Sequence, residues 1–369
     1  MAHSLLARAR AAGTPIIEGD QAIFLFEGAE PPLLVGDFNG WDAEHPARWK
    51  EADRHVWMYS LSLPADAYME YAFLVDPADE VRIPDPFNPR TVPNGVGQVN
   101  HYFYMPEGAE THLAHRARHV PEGVITRHLI QHPRLITGGK RLVHLYHPPT
   151  DQASPLVIVF DGRDYLRRGR LPVIVDNLIA AGRIRPIALA LVDNGGQARM
   201  LEYACNDATV GFLLECVLPL AQKHLNLIDP GQRPGAHGLL GASMGGLIAL
   251  YTALRYPHVF GRVLSQSGAF QWGPRDTVIF PLIRHVPPAP IKIWLDVGRY
   301  EWLLPANRLL RDLLQQQGYA LEYREFNAGH NYPAWRDDVW RGLEWLFAAQ
   351  GGETRAESKA NQHDNGRKE

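Results

Sequence analysis

Residues Gly241-Ala242-Ser243-Met244-Gly245 follow an apolar run, Gly238-Leu239-Leu240, and precede a helix-like stretch, Gly246-Leu247-Ile248-Ala249-Leu250-Tyr251. This is the spacing of a strand, a sharp turn and a helix. Such a turn presents a serine hydroxyl at the end of a sheet in a strained backbone conformation, so residues without bulky side chains must flank it. The chemistry on offer is nucleophilic attack by Ser243. A serine hydroxyl is a weak nucleophile at neutral pH and needs a general base that is itself oriented by a carboxylate. Around turns of this kind the partners follow in the order serine, acid, histidine. Downstream lie His258, His285, His330 and His363. His258 falls at a helix exit, His285 beside a proline-rich loop and His363 in a polar tail, whereas His330 follows a strand-like run and precedes a terminal helix. His330 is therefore the expected base. For the acid, Leu295-Asp296-Val297-Gly298-Arg299-Tyr300-Glu301 offers both Asp296 and Glu301. Glu301 is preferred because it lies beyond the glycine, on a loop able to reach the second ring nitrogen of the histidine. An oxyanion forming at the substrate carbonyl needs amide donors. One is expected from Met244 and the other from Arg163, with Gly162 as alternate, in the loop Asp161-Gly162-Arg163-Asp164.

These residues need a scaffold, and the hydrophobic pattern supplies one. From Val124 onward, strand-like runs (Val124 to Ile130, Lys140 to Tyr146, Leu156 to Phe160, Ile187 to Val192, Ile291 to Leu295, Leu321 to Phe326) alternate with helix-like ones (Leu171 to Ala181, Val210 to His224, Met244 to Arg255, Ala306 to Gln317, Trp335 to Ala349). Near-continuous apolar strands alternating with helices imply an α/β domain whose mainly parallel sheet is covered on both faces. Catalytic loops then gather at the carboxyl ends of the strands. From Pro15 to Pro106 the pattern differs, with short apolar bursts separated by Asn39-Gly40, Asp85-Pro86 and Pro93-Asn94-Gly95, as in a β-sandwich. The expected division is a sandwich over 14–106, a linker over 107–122, a catalytic domain over 123–350 and a disordered polar tail over 351–369.

The chain has 369 residues, 46% hydrophobic and 21% charged, enough for two domains with substantial cores. Its net charge of -3 gives no basic excess for nucleic acid or anionic lipid, so a small-molecule ester is the expected partner. The amino-terminal segment carries Arg8 and Arg10 without a secretory apolar core, and no later run approaches a membrane span, so a cytoplasmic location is expected. Cys205 and Cys216 read as reduced thiols. His112, His115 and His119 would share a helical face but have no nearby cysteine or carboxylate pattern, so no metal is expected.

Two stretches resemble known families. Val35-Gly36-Asp37-Phe38-Asn39-Gly40-Trp41-Asp42, with Leu63-Pro64-Ala65, the run Tyr71 to Asp76 and Asp85-Pro86-Phe87-Asn88, resembles the early-set immunoglobulin-like modules related to starch- and glycogen-binding domains. In such a module Trp41 and Trp57 are either core aromatics or sugar platforms. Phe160-Asp161-Gly162, the run Arg199 to Asn206, Gly241 to Gly246, Leu264 to Gly268, and Gly329-His330 followed by Trp335 resemble the enterochelin esterase-like branch of the esterase D family, over roughly 123–350. Members of that branch are α/β-hydrolases that also carry an amino-terminal immunoglobulin-like domain. The resemblance implies carboxyl-ester hydrolysis by a Ser, acid, His triad without metal or organic cofactor, with Arg199 and Glu202 as substrate-binding residues bordering the site. It also implies a ferric catecholate triester as substrate, with Arg163, Arg167, Arg168 and Arg199 supplying positive charge. Phe270, Trp272, Tyr300, Trp302 and Tyr332 are candidates to stack on an aryl acyl group. Three alternatives stay open: an esterase for acetyl or feruloyl sugars, an acyltransferase using the same acyl-enzyme, and a catalytically silent carbohydrate-binding protein.

Overall fold

The computed structural model describes residues 2–76, 78 and 81–349, and the chain separates into two units. One takes the described residues up to Glu110 together with Gly298–Leu304 and Glu325–Ala334; the other takes Thr111–Val297, Pro305–Arg324 and the described residues from Trp335 onward. The expected tail lies outside the described residues.

In the first unit the short bursts become two antiparallel sheets. One runs in the order Ile16–Glu18, Gln21–Glu27, Val56–Ser62, Lys50–Asp53. The second runs Leu33–Gly36, Tyr68–Asp76, Val99–Tyr104, Thr91–Pro93, with Val81–Ile83 also paired to Tyr68–Asp76. Side chains alternate across a strand, and Tyr68–Asp76 uses both faces. Met69, Tyr71 and Phe73 join Phe24, Leu34 and Phe103 in one apolar cluster fed by both sheets, while Ala72 and Leu74 pack with Val35 on the other side. Burial on two faces explains why this strand reads as an unbroken apolar run. A helix over Ala2–Ala12, absent from the sequence reading, packs Leu5 and Ala9 against Ile16, Ile23 and Leu25.

The second unit is built on an eight-stranded sheet ordered Val124–Gln131, Lys140–His147, Ala188–Val192, Leu156–Val159, His237–Ala242, Phe260–Gln266, Lys292–Gly298, Ala320–Phe326. The first two pairings are antiparallel, and the pairings from Ala188–Val192 through to Lys292–Gly298 are parallel. Leu156–Val159 and His237–Ala242 are buried at every position, as strands covered on both faces must be. Within the segment expected to be a linker, Leu113 and Ala114 are buried, and Asn177 donates to the carbonyls of Leu113 and His115. No single helix among the described residues is long and apolar enough to cross a membrane.

Candidate active site

Ser243 stands between the strand His237–Ala242 and the helix Met244–Arg255. Its φ of 58° and ψ of -121° put it in a conformation that L side chains rarely adopt. The turn is this sharp because its backbone folds back on itself. A Cβ on Gly241 would lie 2.4 Å from the carbonyl carbon of Gly245, and one on Gly246 would lie 2.3 Å from Ser265 Oγ. The Ser243 amide donates to the Gln266 carbonyl at 2.9 Å, and the Ser243 carbonyl accepts from Ala269 and Leu247 at 3.1 Å each. Both sides of the turn are thus pinned while Ser243 itself stays partly exposed. The Met244 amide follows at the first helical position, where no intrahelical acceptor exists.

The loop expected to supply the second oxyanion donor begins with Asp161 at φ 55° and ψ 44°, and Gly162 opens the short helix Gly162–Arg167. The Asp161 carbonyl accepts the amides of Asp164 and Tyr165, so Gly162 and Arg163 hold the unsatisfied first-turn amides. Glycine at this position has a packing reason. A Cβ on Gly162 would lie 2.3 Å from the carbonyl carbon of Leu191, so the residue is set by packing against Ala188–Val192. The Arg163 side chain turns to Asp193, bonding its carboxylate through Nε at 3.1 Å and Nη2 at 2.8 Å.

His330 lies in the loop between Ala320–Phe326 and the helix Tyr332–Phe347. Its Nδ1 is 2.5 Å from Glu301 Oε2, and the other carboxylate oxygen accepts the Gly298 amide at 2.6 Å. A carboxylate only accepts, so this contact places the ring proton on Nδ1 and makes Nε2 the basic nitrogen of the ring. The Glu301 side chain is fully buried and that of His330 is 17% exposed. Asp296, the competing acid, is committed elsewhere. It is fully buried, its Oδ2 accepts from Trp294 Nε1 at 2.8 Å and Gln266 Nε2 at 3.3 Å, and burial followed by the proximity of Asp338 pushes its carboxyl well above the usual range.

Residues 136–346 match the family model named Esterase, which is more than half of the chain. The chain belongs to the esterase family. The esterase is 30% identical over 210 residues to the iron(III) enterobactin esterase of Dickeya dadantii, covering 52% of this chain and 48% of that one, so it spans about half the length of this relative. It is 24% identical over 321 residues to the iron(III) enterobactin esterase of Escherichia coli strain K12, covering 79% of each. Among solved structures it resembles the ferric enterobactin esterase of Salmonella typhimurium with a TM-score of 0.74 at 21% identity, covering 90% of this chain and 95% of that one. At that identity the likeness is one of fold.

Two residues expected to bind substrate do structural work in the esterase. Glu202 is buried, and its Oε1 accepts from Arg141 Nη2 at 2.7 Å and from the Thr137 amide at 3.0 Å; its carboxylate is consumed by that internal pair. Arg199 grips Asp161 with both arms of its guanidinium, at 2.7 Å to each oxygen, and lies over the Tyr203 ring. It also donates to the Ala242 carbonyl at 3.4 Å, so one cation ties together the turns that carry the Gly162 and Met244 amides. Of the aromatic candidates, Phe270 and Tyr332 are buried and Tyr300 packs on the first unit's apolar cluster. Trp272 is exposed on a hairpin, and Trp302 is 68% exposed with its ring 4.7 Å from that of His330. The indoles of Trp41 and Trp57 donate internally, to Asp37 and to the Gly28 carbonyl. Asp37 was not singled out from the sequence because a lone aspartate in a turn motif carries no sign of what it touches. Among the described residues, no group of three or more His, Cys, Asp or Glu side chains is arranged to hold a metal ion.

Proposed function

We propose that this esterase hydrolyses carboxyl esters through an acyl-enzyme on Ser243. The observation that carries the reading is the backbone of Ser243, held at φ 58° on a glycine-lined turn that leads straight into a helix amide. Ser243 Oγ attacks the ester carbonyl carbon while His330 Nε2 takes the hydroxyl proton, and Glu301 holds the resulting imidazolium in place. The carbonyl electron pair moves to the oxygen, where the Met244 amide and that of Arg163 or Gly162 receive it. Collapse breaks the bond to the alcohol oxygen, which leaves with the proton from His330. Water then repeats the sequence, with His330 as base, and releases the acid and free Ser243.

The substrate class proposed is an aryl-acyl ester of the catecholate siderophore kind. The relatives named above are iron(III) enterobactin esterases. Trp302, exposed beside His330, offers a flat face for an aromatic acyl group. The iron would arrive as part of the substrate. Residues 14–106 are read as an immunoglobulin-like module, joined by 107–122 to a catalytic region over 123–350. Two free cysteines, one with its thiol pushed up to about 12 by burial, suit a reducing cytoplasm.

The test is hydrolysis of p-nitrophenyl butyrate at neutral pH by wild type and by Ser243→Ala, with a chelator present. Turnover should drop by about 10³- to 10⁶-fold in the variant and be unaffected by the chelator in wild type. Equal turnover in the two proteins removes Ser243 as nucleophile. Chromatography of products from a ferric tricatecholate ester, set against feruloyl and acetyl sugars, then decides the substrate class.

A further inference from the structure

The histidine loop and the Glu301 loop belong to the same unit as the amino-terminal sheets, although residues 111–297 of the chain separate them from Glu110. The contacts responsible are specific. Asp37 begins the short turn Asp37–Asn39 after the strand Leu33–Gly36 and is buried. Gly40 and Trp41 follow with φ of 66° and 61°, which curls the chain so that the Trp41 indole donates to Asp37 Oδ1 at 2.9 Å. Asp37 Oδ2 accepts the Glu70 amide at 2.8 Å and the side-chain amide of Asn331 at 3.4 Å. The carboxyl is also pressed against the loop backbone: a Cβ on Gly329 would stand 2.1 Å from Asp37 Oδ1. Gly329 and Asn331 are the two neighbours of His330.

We infer that Asp37 is a positioning residue for the histidine: by holding Gly329 and Asn331 it fixes the ring of His330 on Glu301. The rest of the loop is tethered on the same side. The Tyr68 amide donates to the Asn327 carbonyl at 3.0 Å, and Asn327 Nδ2 donates to Asp66 at 2.6 Å. Asn331 extends the chain of contacts, since its Oδ1 accepts the Ala334 amide at 3.0 Å and caps the helix Tyr332–Phe347. The Glu301 side is joined to this loop through the Tyr300 amide, which donates to the Ala328 carbonyl at 3.2 Å. Asp37 therefore touches both residues that flank the catalytic ring. Burial, and then the neighbouring Glu70, push the Asp37 carboxyl well above the usual range, so replacing it with a neutral amide is a mild change in charge.

The inference rests on the esterase reading but can fail separately from it. The measurements are kcat and KM for a p-nitrophenyl ester, together with the downfield proton resonance of His330 Nδ1–H, assigned by its absence in His330→Gln. In Asp37→Ala the resonance should vanish or move upfield, and kcat should fall by about 10²-fold with KM within about threefold, the loss expected for a misplaced catalytic group. In Asn331→Ala the loss should be of the same kind, and the double variant should lose little more than either single one. If Asp37→Ala does not fold, Asp37→Asn, which keeps the volume and one acceptor, carries the same measurements with a smaller expected loss. A resonance unchanged from wild type in the folded variant overturns the inference whatever the rate does. If wild type shows no ester turnover the esterase reading falls, and the resonance still decides the role of Asp37.

Discussion

A carboxylate serves a histidine only if it reaches the ring. Glu301 gives one oxygen to His330 and uses the other to accept the Gly298 amide, which fixes the plane of the group without blocking the useful side. Asp296, at the end of a strand, instead accepts from Trp294 and Gln266 through its Oδ2. Glu301→Gln should therefore lower kcat by about 10⁴-fold, since a neutral amide can donate to Nδ1 and favour the wrong tautomer. Asp296→Asn, by contrast, replaces a carboxyl already driven toward its protonated form with a near-isostere. It should leave kcat within about tenfold and cost no more than about 1 kcal/mol of stability at neutral pH, read from urea unfolding. The reverse ranking of the two kcat losses would move the acid to Asp296. Ser243, Glu301 and His330 were picked from the sequence by the turn around the serine and by position along the chain. The uses of Arg199 and Glu202 were not legible, because a charged residue on a loop reads the same whether it faces a substrate or a buried partner such as Asp161 or Arg141.

The elements that carry the site are positioned by close backbone approach at a few points. Gly162 is one: the atoms a new Cβ would meet are the backbone of Leu191 and Val192, at 2.3 and 2.5 Å, and backbone cannot swing aside. Gly162→Ala should destabilise the fold by about 3 kcal/mol and lower kcat as the donor loop shifts, both measurable on the same preparation by urea unfolding and ester turnover. A variant as stable as wild type would show that the loop has slack. His237, at the start of the strand that leads to Ser243, gives a second prediction. It is fully buried, its Nδ1 accepts the Leu156 amide at 3.1 Å, and burial, assisted by Arg262, lowers its pKa from 6.5 to about 4. Between those values the unfolded chain binds a proton that the native state refuses, so stability falls as pH drops through this window, by about 3 kcal/mol in all. Unfolding free energies at pH 7 and pH 4.5 should fall less steeply in His237→Gln than in wild type; equal slopes would assign the acid sensitivity to other groups. Most sheet strands were visible as apolar runs. Phe260–Gln266 was not, because Gly261, Arg262 and Gln266 break the run; Arg262 reaches out to the carbonyls of Gly235 and Leu346, and Gln266 is satisfied inside by Tyr165 and Asp296. The helix Ala2–Ala12 was missed for a related reason, since its few buried residues amid arginines and small side chains give only a weak periodic signal.

At the scale of the whole chain, order along the sequence and membership of a folded unit part company. Sequence grammar changes after the 107–122 linker, the second unit begins at Thr111, and the eight-stranded sheet lies beyond both points. Yet Glu301 and His330, the two residues that would activate Ser243, sit on loops whose anchors are Asp37, Tyr68, Asp66 and the apolar cluster under Tyr300. No hydrophobic pattern could reveal this, because loop anchoring depends on single hydrogen bonds and close approaches rather than on periodicity. The consequence is that damage to the amino-terminal core should be felt at the catalytic loops. Phe103 is fully buried in the cluster fed by both antiparallel sheets, and Phe103→Ala should weaken that unit by about 3–5 kcal/mol. Leu178, equally buried, lies on the helix Leu171–Ala180 of the other unit, so Leu178→Ala opens a cavity of comparable kind in that unit. Hydrogen exchange read by mass spectrometry on the full chain at neutral pH distinguishes the two. Peptides covering 298–304 and 325–334 should exchange faster in Phe103→Ala, in step with the strands Leu33–Gly36 and Tyr68–Asp76, and should remain near wild-type rates in Leu178→Ala. Equal acceleration in both variants would mean that the catalytic loops open with the large sheet, and the amino-terminal unit would then have no special hold on the histidine.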